Sequence, residues 1–273
     1  MKRRVLLWSA ALASIGIVLG FFSLKRFASV STTRPIIYGQ EDVVRFLNRN
    51  GLSIDVVDTV VRNASGDELF VSLFPTANNK LEALRITTNG IKRISSPGRR
   101  VFAPAEDDFG AWLTKTGDTV VFRGGSSIQL PQFALFDLDP SGRYFVVGEK
   151  PSRTWVGRTN SPNDQQLLAE DVLGSRVFAN GEHLYVCGTT PSAAAVCLVV
   201  ADDRGRFRVT DRHTFEWAAG IVDVDPDANR LLLWNNHDLF TTAYVYDLET
   251  KRRSRVGGVK GFELFLKHDL LGR

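Results

Sequence analysis

The 273-residue chain lacks the short motifs by which several enzyme classes are identified. It contains no Gly-x-Ser-x-Gly turn, no phosphate-binding glycine-rich loop with a lysine, no His-Glu-x-x-His and no Cys-x-x-Cys. None of its four histidines has a partner at the spacing of a metal site, so we expect no metal and no cofactor. With 44% apolar and 23% charged residues, the composition is that of a globular protein and excludes a fibrous or disordered chain.

The larger part of the chain also lacks an excess of positive charge. Five of the 34 basic residues, and none of the 30 acidic ones, fall within residues 1–26. The remaining residues therefore carry 29 basic and 30 acidic side chains, although the whole chain has a net charge of +4. Because nucleic-acid binding needs a clustered basic surface, we do not expect nucleic acid as a partner.

Residues 5–24 contain no charged side chain at all. Twenty residues of helix span about 30 Å, which is the thickness of the hydrocarbon core of a bilayer. A cleaved secretory signal has a shorter apolar segment followed by small residues, whereas Lys25 and Arg26 follow here. The pattern favours an uncleaved signal anchor that crosses the membrane once, with a cleaved signal and a buried core helix as the alternatives.

Basic residues on the two sides of this segment predict its orientation. Lys2, Arg3 and Arg4 precede the segment, and two basic residues follow it. The more positive flank stays in the cytoplasm. We therefore expect the amino terminus in the cytoplasm and the remainder of the chain outside it.

The two cysteines, Cys187 and Cys197, lie in apolar segments on either side of residues 188–192. This pattern predicts a hairpin with a loop of about five residues, which would set the two thiols across neighbouring strands. An oxidising compartment would allow a disulfide between them. The alternative is a pair of small buried apolar side chains.

From Leu52 onward the sequence is typical of an all-β protein. Short segments rich in Val, Ile, Phe, Leu and Thr alternate with turn-forming residues about every 8–12 residues. Before them, residues 40–50 are predicted to form one short helix, with acidic residues in its first turn and Gly51 at its end. We expect so short a helix to pack against the β domain.

An internal repeat distinguishes among the β architectures. Residues 137–149 and 223–235 both read Asp, apolar, Asp, Pro, polar turn, basic residue and apolar strand. The repeated aspartates are predicted to cap turns. A period of about 40–45 residues with four strands per unit is typical of β-propeller blades, whereas a β-sandwich with a chance repeat is the alternative.

The repeat predicts five four-stranded blades. Their expected ranges are residues 52–96, 97–131, 132–172, 173–213 and 214–257. Residues 261–269 are expected to return as a closing strand beside the first blade. Six blades are the alternative, if residues 27–51 and 258–273 together complete one.

Two kinds of segment in these units have counterparts in a known family. Residues 136–143 and 222–227 carry the Asp-Pro turn, and residues 243–250 contain the motif Tyr-x-Tyr-Asp-Leu-x-Thr. In these segments the units resemble the repeats of bacterial WD40-like, TolB-type and YVTN-type propellers. The resemblance implies a β-propeller fold, and it implies no activity because propellers serve many functions.

The segment that begins at Trp234 carries the side chains best suited to a binding face. In a propeller it joins the second and third strands of a blade, and such connections commonly line the central face. We predict a site for a ligand or partner formed by Trp234, Asn236, His237, Asp238 and Phe240. The alternative is a polar hairpin turn with the tryptophan in the core.

These features divide the chain into residues 1–26 as signal anchor, 27–51 as spacer and short helix, and 52–273 as propeller. We expect a single-pass protein of the bacterial inner membrane whose extracytoplasmic propeller binds an envelope protein or a small ligand. Since no catalytic motif is present, a non-enzyme is favoured. The alternatives are an extracytoplasmic hydrolase or lyase acting on a sugar, lactone or ester, and a structural subunit of an assembly.

Overall fold

The structure, a computed structural model, describes residues 36–63, 65–73, 82–95, 98, 100–105, 108–180, 183–225, 230–235, 242–258, 263–266 and 271. The predicted signal anchor and most of the predicted spacer lie outside the described residues. Among the residues that are described, no helix has the length and apolar character needed to cross a membrane.

Strand β1 (Ile36–Gly39) leads directly into helix α1 (Gln40–Arg49), which confirms the predicted short helix. The Asp42 carboxylate accepts the Gly39 N–H at 3.0 Å and caps the helix start. Gly51, with a φ of 81°, takes the left-handed conformation just after the helix. Val43 and Leu47 are fully buried against the first blade, as expected for a helix too short to stand alone.

Within the described residues, five four-stranded antiparallel sheets form the blades of a β-propeller, and in each sheet the strands follow chain order. Blade 1 consists of β2 (Val57–Arg62), β3 (Leu69–Leu73), β4 (Glu82–Thr87) and β5 (Gly90–Ser95). Blade 2 consists of β6 (Arg100–Ala105), β7 (Asp108–Leu113), β8 (Thr119–Phe122) and β9 (Ser127–Gln129). Blade 3 consists of β10 (Leu135–Leu138), β11 (Tyr144–Glu149), β12 (Arg153–Arg158) and β13 (Ser161–Ala169).

Blade 4 consists of β14 (Leu173–Asn180), β15 (His183–Thr189), β16 (Ala195–Asp203) and β17 (Arg206–Phe215). Blade 5 consists of β18 (Gly220–Asp225), β19 (Arg230–Asn235), β20 (Thr242–Asp247) and β21 (Arg253–Gly258). The predicted propeller of five four-stranded blades is thus confirmed.

The last strand, β22 (Glu263–Leu266), pairs antiparallel with β1 and forms a separate two-stranded sheet. The prediction of a closing strand beside the first blade is therefore wrong, and the two-stranded sheet is not a sixth blade. β22 lies beside β18 and β19 of blade 5. The sequence signals a strand here, but strand pairing over such a distance depends on how the ring closes.

Apolar side chains between successive blades form the core. Phe122 of blade 2 and Phe145 of blade 3 are fully buried, with ring centroids 5.1 Å apart. Equivalent clusters join blades 3 and 4 through Val146 and Val186, and blades 4 and 5 through Cys187 and Leu231. Blades 2, 3 and 4 thus bury each face against a neighbouring blade, and blade 1 packs one of its faces against α1. A single blade cannot bury both faces by itself, so its stability depends on its neighbours.

Candidate functional site

A cavity of about 700 Å³ opens at one end of the propeller, where the first strands of the blades begin. All five first strands contribute to its lining, and we call it the channel mouth. Its charged lining residues are Asp58, Arg100 and Arg176. Its larger apolar lining residues are Phe102, Leu113, Leu130, Leu135, Phe136, Ile221 and Trp234.

β-Bulges aim three of the lining residues into the channel mouth. In blades 1, 4 and 5 the pairing of the first and second strands skips one residue, namely Asp58, Ser175 and Val222. All three skipped residues line the cavity. A bulge leaves its extra residue outside the ladder and re-aims its side chain, and bulges are common next to functional sites.

Below the mouth, a buried ion pair joins the last blade to the first. Arg62 of β2 donates two hydrogen bonds to Asp223 of β18, from Nε and Nη2, each 3.1 Å long. Its Nη2 also donates to the Val224 carbonyl at 2.8 Å. The two charged side chains are only 3% and 2% exposed. This contact links blades 5 and 1, where the ring closes.

A second aspartate of the repeat joins blades 3 and 4. Asp137 of β10 accepts the Val177 N–H at 3.0 Å and lies 3.5 Å from Arg176 Nη1. Burial raises the pKa of the Asp137 carboxyl above its ordinary value, and the Arg176 charge opposes that shift. Both carboxylate oxygens of Asp137 therefore contact residues of blade 4.

Among the described residues, no counter-ion contacts Arg100, the cation of the channel mouth that lies at the start of β6. Its Nε is buried and makes no hydrogen bond, and no described residue forms a hydrogen bond or ion pair with its guanidinium. The guanidinium carbon lies 5.3 Å from the centroid of the Phe102 ring. Burial, and then the like charge of Arg176, lower the pKa of Arg100, whereas Asp137 and Asp58 act in the opposite direction.

Aromatic side chains form the walls of the channel mouth. Phe102 and Phe136 meet edge to face, with ring centroids 4.8 Å apart. Trp234 lies against Gly220, the residue it faces across β18 and β19. A Cβ atom at position 220 would collide with the Trp234 Nε1, so the glycine allows the indole to lie flat on this wall.

An exposed aromatic residue stands just before the lining residues of blade 3. Phe133 is 72% exposed and has a φ of 61°, a left-handed conformation that is unusual for a residue other than glycine. The Lys150 ammonium lies 5.9 Å from its ring centroid. Two residues later, Leu135 lines the cavity and is itself 39% exposed. The channel mouth therefore has apolar surface on its rim as well as inside.

A second depression, of about 720 Å³, follows α1 and is lined by that helix together with Asp55. It is an open groove on one helix. The channel mouth, in contrast, is formed by all five blades and contains Arg100, a half-buried cation whose Nε makes no hydrogen bond. We therefore take the mouth as the candidate site.

The structure places one of the predicted site residues in this cavity. Trp234, at the end of β19, is half-buried and lines the channel mouth. Asn236, His237, Asp238 and Phe240 lie outside the described residues, in the connection between β19 and β20, so their binding role stays a prediction. Sequence reasoning missed the charged residues of the first strands. The sequence signal that could have revealed them is a single charged residue in an otherwise apolar first strand, as in the segment around Arg176.

The two cysteines face each other across the predicted hairpin. Cys187 of β15 pairs directly with Cys197 of β16, and both are fully buried. They are free thiols in this structure, with sulfur atoms 2.6 Å apart. Burial, and then the neighbouring Cys197, raise the pKa of the Cys187 thiol well above its ordinary value. The predicted hairpin is confirmed, and the disulfide stays a prediction.

No protein-family model and no curated protein matches the chain. Similar solved structures include TolB from Acinetobacter baumannii, at 7% identity over 77% of this chain and 57% of that chain, with a TM-score of 0.48. The hydrazine synthase of Kuenenia stuttgartiensis is 13% identical over 72% of this chain and 65% of that chain, with a TM-score of 0.46. Dihydro-heme d1 dehydrogenase NirN is 15% identical over 80% of this chain and 50% of that chain, with a TM-score of 0.45.

The chain spans between 50% and 65% of the length of these three structures. The fold follows from the five four-stranded sheets themselves. These sheets confirm the β-propeller fold that the resemblance of the Asp-Pro repeats to bacterial propeller repeats implies.

Proposed function

We propose that the chain is a membrane-anchored propeller of the bacterial cell envelope that binds a protein segment or a small ligand at the channel mouth. The observation that carries this proposal is the mouth itself, a cavity of about 700 Å³ to which all five blades contribute. Its aromatic walls and few charged groups are the composition of ligand pockets in general. Loops and bulges on a fixed scaffold are suited to recognition, because they vary while the blades stay in place.

Two features of the sequence support the envelope location. The charge-free residues 5–24 are long enough to cross a bilayer, and three basic residues precede them. The propeller would then lie outside the cytoplasm. Cys187 and Cys197 stand at directly paired positions, where an oxidising compartment would permit a disulfide.

The arrangement of the two carboxylates buried between blades supports binding more than catalysis. A hydrolase or lyase needs an acid or base that can exchange a proton with a substrate. Asp137 and Asp223 are both buried. Asp137 forms an ion pair with Arg176, and Asp223 forms one with Arg62. These carboxylates act as counter-ions that join blades, so we favour a binding protein over the propeller enzyme.

Site-specific photocrosslinking in cells tests this proposal. A benzophenone amino acid replaces Phe133 on the rim, and in a matched control it replaces Val209, which is 37% exposed on the outermost strand of blade 4. We expect a reproducible adduct from position 133, identified by mass spectrometry, and none from position 209. The adduct should disappear in a Trp234→Ala background and persist in a Trp217→Ala background, because Trp217 packs against Tyr244 rather than lining the mouth.

Two results would contradict the proposal. One is the absence of any adduct at position 133 in cells that make the full-length chain. The other is an adduct that survives Trp234→Ala unchanged. The second result would place the contact on the rim alone and leave the cavity without a role.

A further inference from the structure

We infer that the channel mouth recognises a carboxylate attached to an apolar group, and that Arg100 is the residue that binds the carboxylate. This inference rests on the proposed binding function and names the chemistry of the ligand. Its starting point is the Arg100 Nε, which is buried and makes no hydrogen bond. Buried polar groups in proteins nearly always have a partner. Because Arg100 also lines the cavity, its unpartnered donor points to a partner other than the described residues.

The other charged groups around Arg100 leave its donors available. Asp137 already accepts the Val177 N–H and faces Arg176. Asp58 is exposed at the edge of the mouth, and it influences Arg100 through charge alone. The guanidinium is thus attracted to two carboxylates without being hydrogen-bonded to either, and a third carboxylate that reached it could form the missing bonds.

The shape and charge of the mouth restrict the ligand. A guanidinium presents a planar set of donors that matches a carboxylate in a bidentate manner. The nearby Asp58 carboxylate disfavours a ligand with two negative charges. Phe102, Phe136 and Trp234 line the same cavity and supply its apolar wall, and Phe102 lies beside the Arg100 guanidinium. A singly charged acid with an aromatic or aliphatic group therefore fits better than a phosphate.

This chemistry could come from the C-terminal residue of a partner polypeptide or from a free organic acid. The probes are 3-phenylpropionate for the free acid and N-acetyl-Ala-Phe for the peptide terminus. Each is paired with its carboxamide, which keeps the apolar group and removes the charge. Binding to the purified full-length chain in nanodiscs of zwitterionic lipid is measured by ligand-observed NMR and by calorimetry.

We expect the wild-type chain to bind at least one of the two acids and neither amide. Arg100→Gln should weaken acid binding by about tenfold or more, since a hydrogen bond to a charged group is lost. The affinity of Arg100→Lys for the acid should lie between those of the wild type and Arg100→Gln, because lysine keeps the charge and loses the planar donors. Asp58→Asn should strengthen acid binding severalfold, because it removes a like charge from the site. Arg93→Gln, on the outer strand of blade 1, should bind like the wild type.

Equal binding of an acid and its amide, no binding of either acid, or full binding by Arg100→Gln would overturn the inference. Circular dichroism of each variant shows that a loss is not caused by unfolding. The photocrosslinking experiment separates the two proposals. An adduct at position 133 that depends on Trp234 but survives Arg100→Gln would keep the proposed function and reject the carboxylate. A preference of the wild type for the peptide acid or for the free acid identifies the source.

Discussion

Asp137 and Asp223 occupy equivalent positions in the repeat, and each contacts the blade that follows it in the ring. Two positions later, Asp139 has the role predicted for the motif. Its carboxylate accepts the backbone N–H groups of Ser141, Arg143 and Tyr144, and so caps the turn. The first aspartate of the motif therefore joins blades, while the second shapes the turn. Only the second role is local, which is why only that role could be predicted from the sequence.

Replacing Arg62 tests the role of the buried ion pair between blades 5 and 1. Arg62→Met removes the cation that faces Asp223 and leaves a buried carboxylate without its counter-ion. We expect the free energy of unfolding to fall by about 3–5 kcal/mol. Chemical denaturation followed by tryptophan fluorescence measures the change.

Arg93→Met is the matched control for this variant. The Arg93 and Glu82 side chains also form an ion pair of 3.1 Å, but they are 58% and 31% exposed. Its loss should change the free energy of unfolding by about 1 kcal/mol or less. Similar losses in the two variants would show that the pair of Arg62 and Asp223 does not hold the ring closed.

At the scale of secondary structure, local sequence patterns predicted the elements correctly, but they did not predict which distant strands pair. Helix α1 and the hairpin of β15 and β16 follow from short patterns of apolar and turn-forming residues. The pairing of β22 with β1 was not predicted. A strand pattern shows that a segment is extended, but it does not say which distant segment supplies its hydrogen-bonding partner.

The hairpin of blade 4 carries a prediction about cysteine oxidation. Cys187 and Cys197 are directly paired, so we expect them to be joined in protein isolated from its native compartment. A bond closing a loop of about ten residues stabilises the fold by about 3 kcal/mol. Reduction should therefore lower the free energy of unfolding by about that amount. Non-reducing mass spectrometry after alkylation in denaturant detects the bond.

The double variant Cys187→Ala, Cys197→Ala is the control for this experiment. Its stability should not respond to a reducing agent. Two alkylated thiols in the wild-type protein would reject the disulfide and favour the alternative, a pair of small buried side chains.

At the scale of the whole described unit, the ring brings distant residues into one site. The channel mouth combines charged residues of blades 1, 2 and 4 with aromatic residues of blades 2, 3 and 5. No single blade contains enough of these groups to form a site. The function we propose therefore belongs to the closed ring rather than to any one repeat.

The proposed envelope location makes a prediction about membrane topology. Alkaline phosphatase, which is active outside the cytoplasm, and green fluorescent protein, which folds within it, are fused in turn after Arg273. We expect activity from the phosphatase fusion and no fluorescence from the other, because the more positive flank precedes residues 5–24. Both fusions should remain in the membrane fraction.

Deletion of residues 1–26 is the control for topology. The phosphatase fusion should then lose its activity, and the fluorescent fusion should gain it in the soluble fraction. Fluorescence from the fusion of the undeleted chain would reverse the proposed orientation. Phosphatase activity released from the membrane fraction would instead indicate a cleaved signal.

The sequence by itself determined the features that depend on neighbours along the chain. The Asp-Pro turns, the apolar segments and their period predict strands and five blades, because turn geometry and the alternation of side chains are local. Trp234 was also predicted as a candidate site residue, since its connection follows the second strand of a blade.

Only the tertiary structure decided which residues meet across the ring. Arg62 and Asp223 are 161 residues apart in the chain, yet they form one buried ion pair. Arg100 becomes a candidate ligand-binding residue because it lines a cavity to which all five blades contribute and its buried Nε has no hydrogen-bond partner. Such contacts depend on how many blades close the ring and on which residues the bulges turn inward. Local sequence patterns contain neither kind of information.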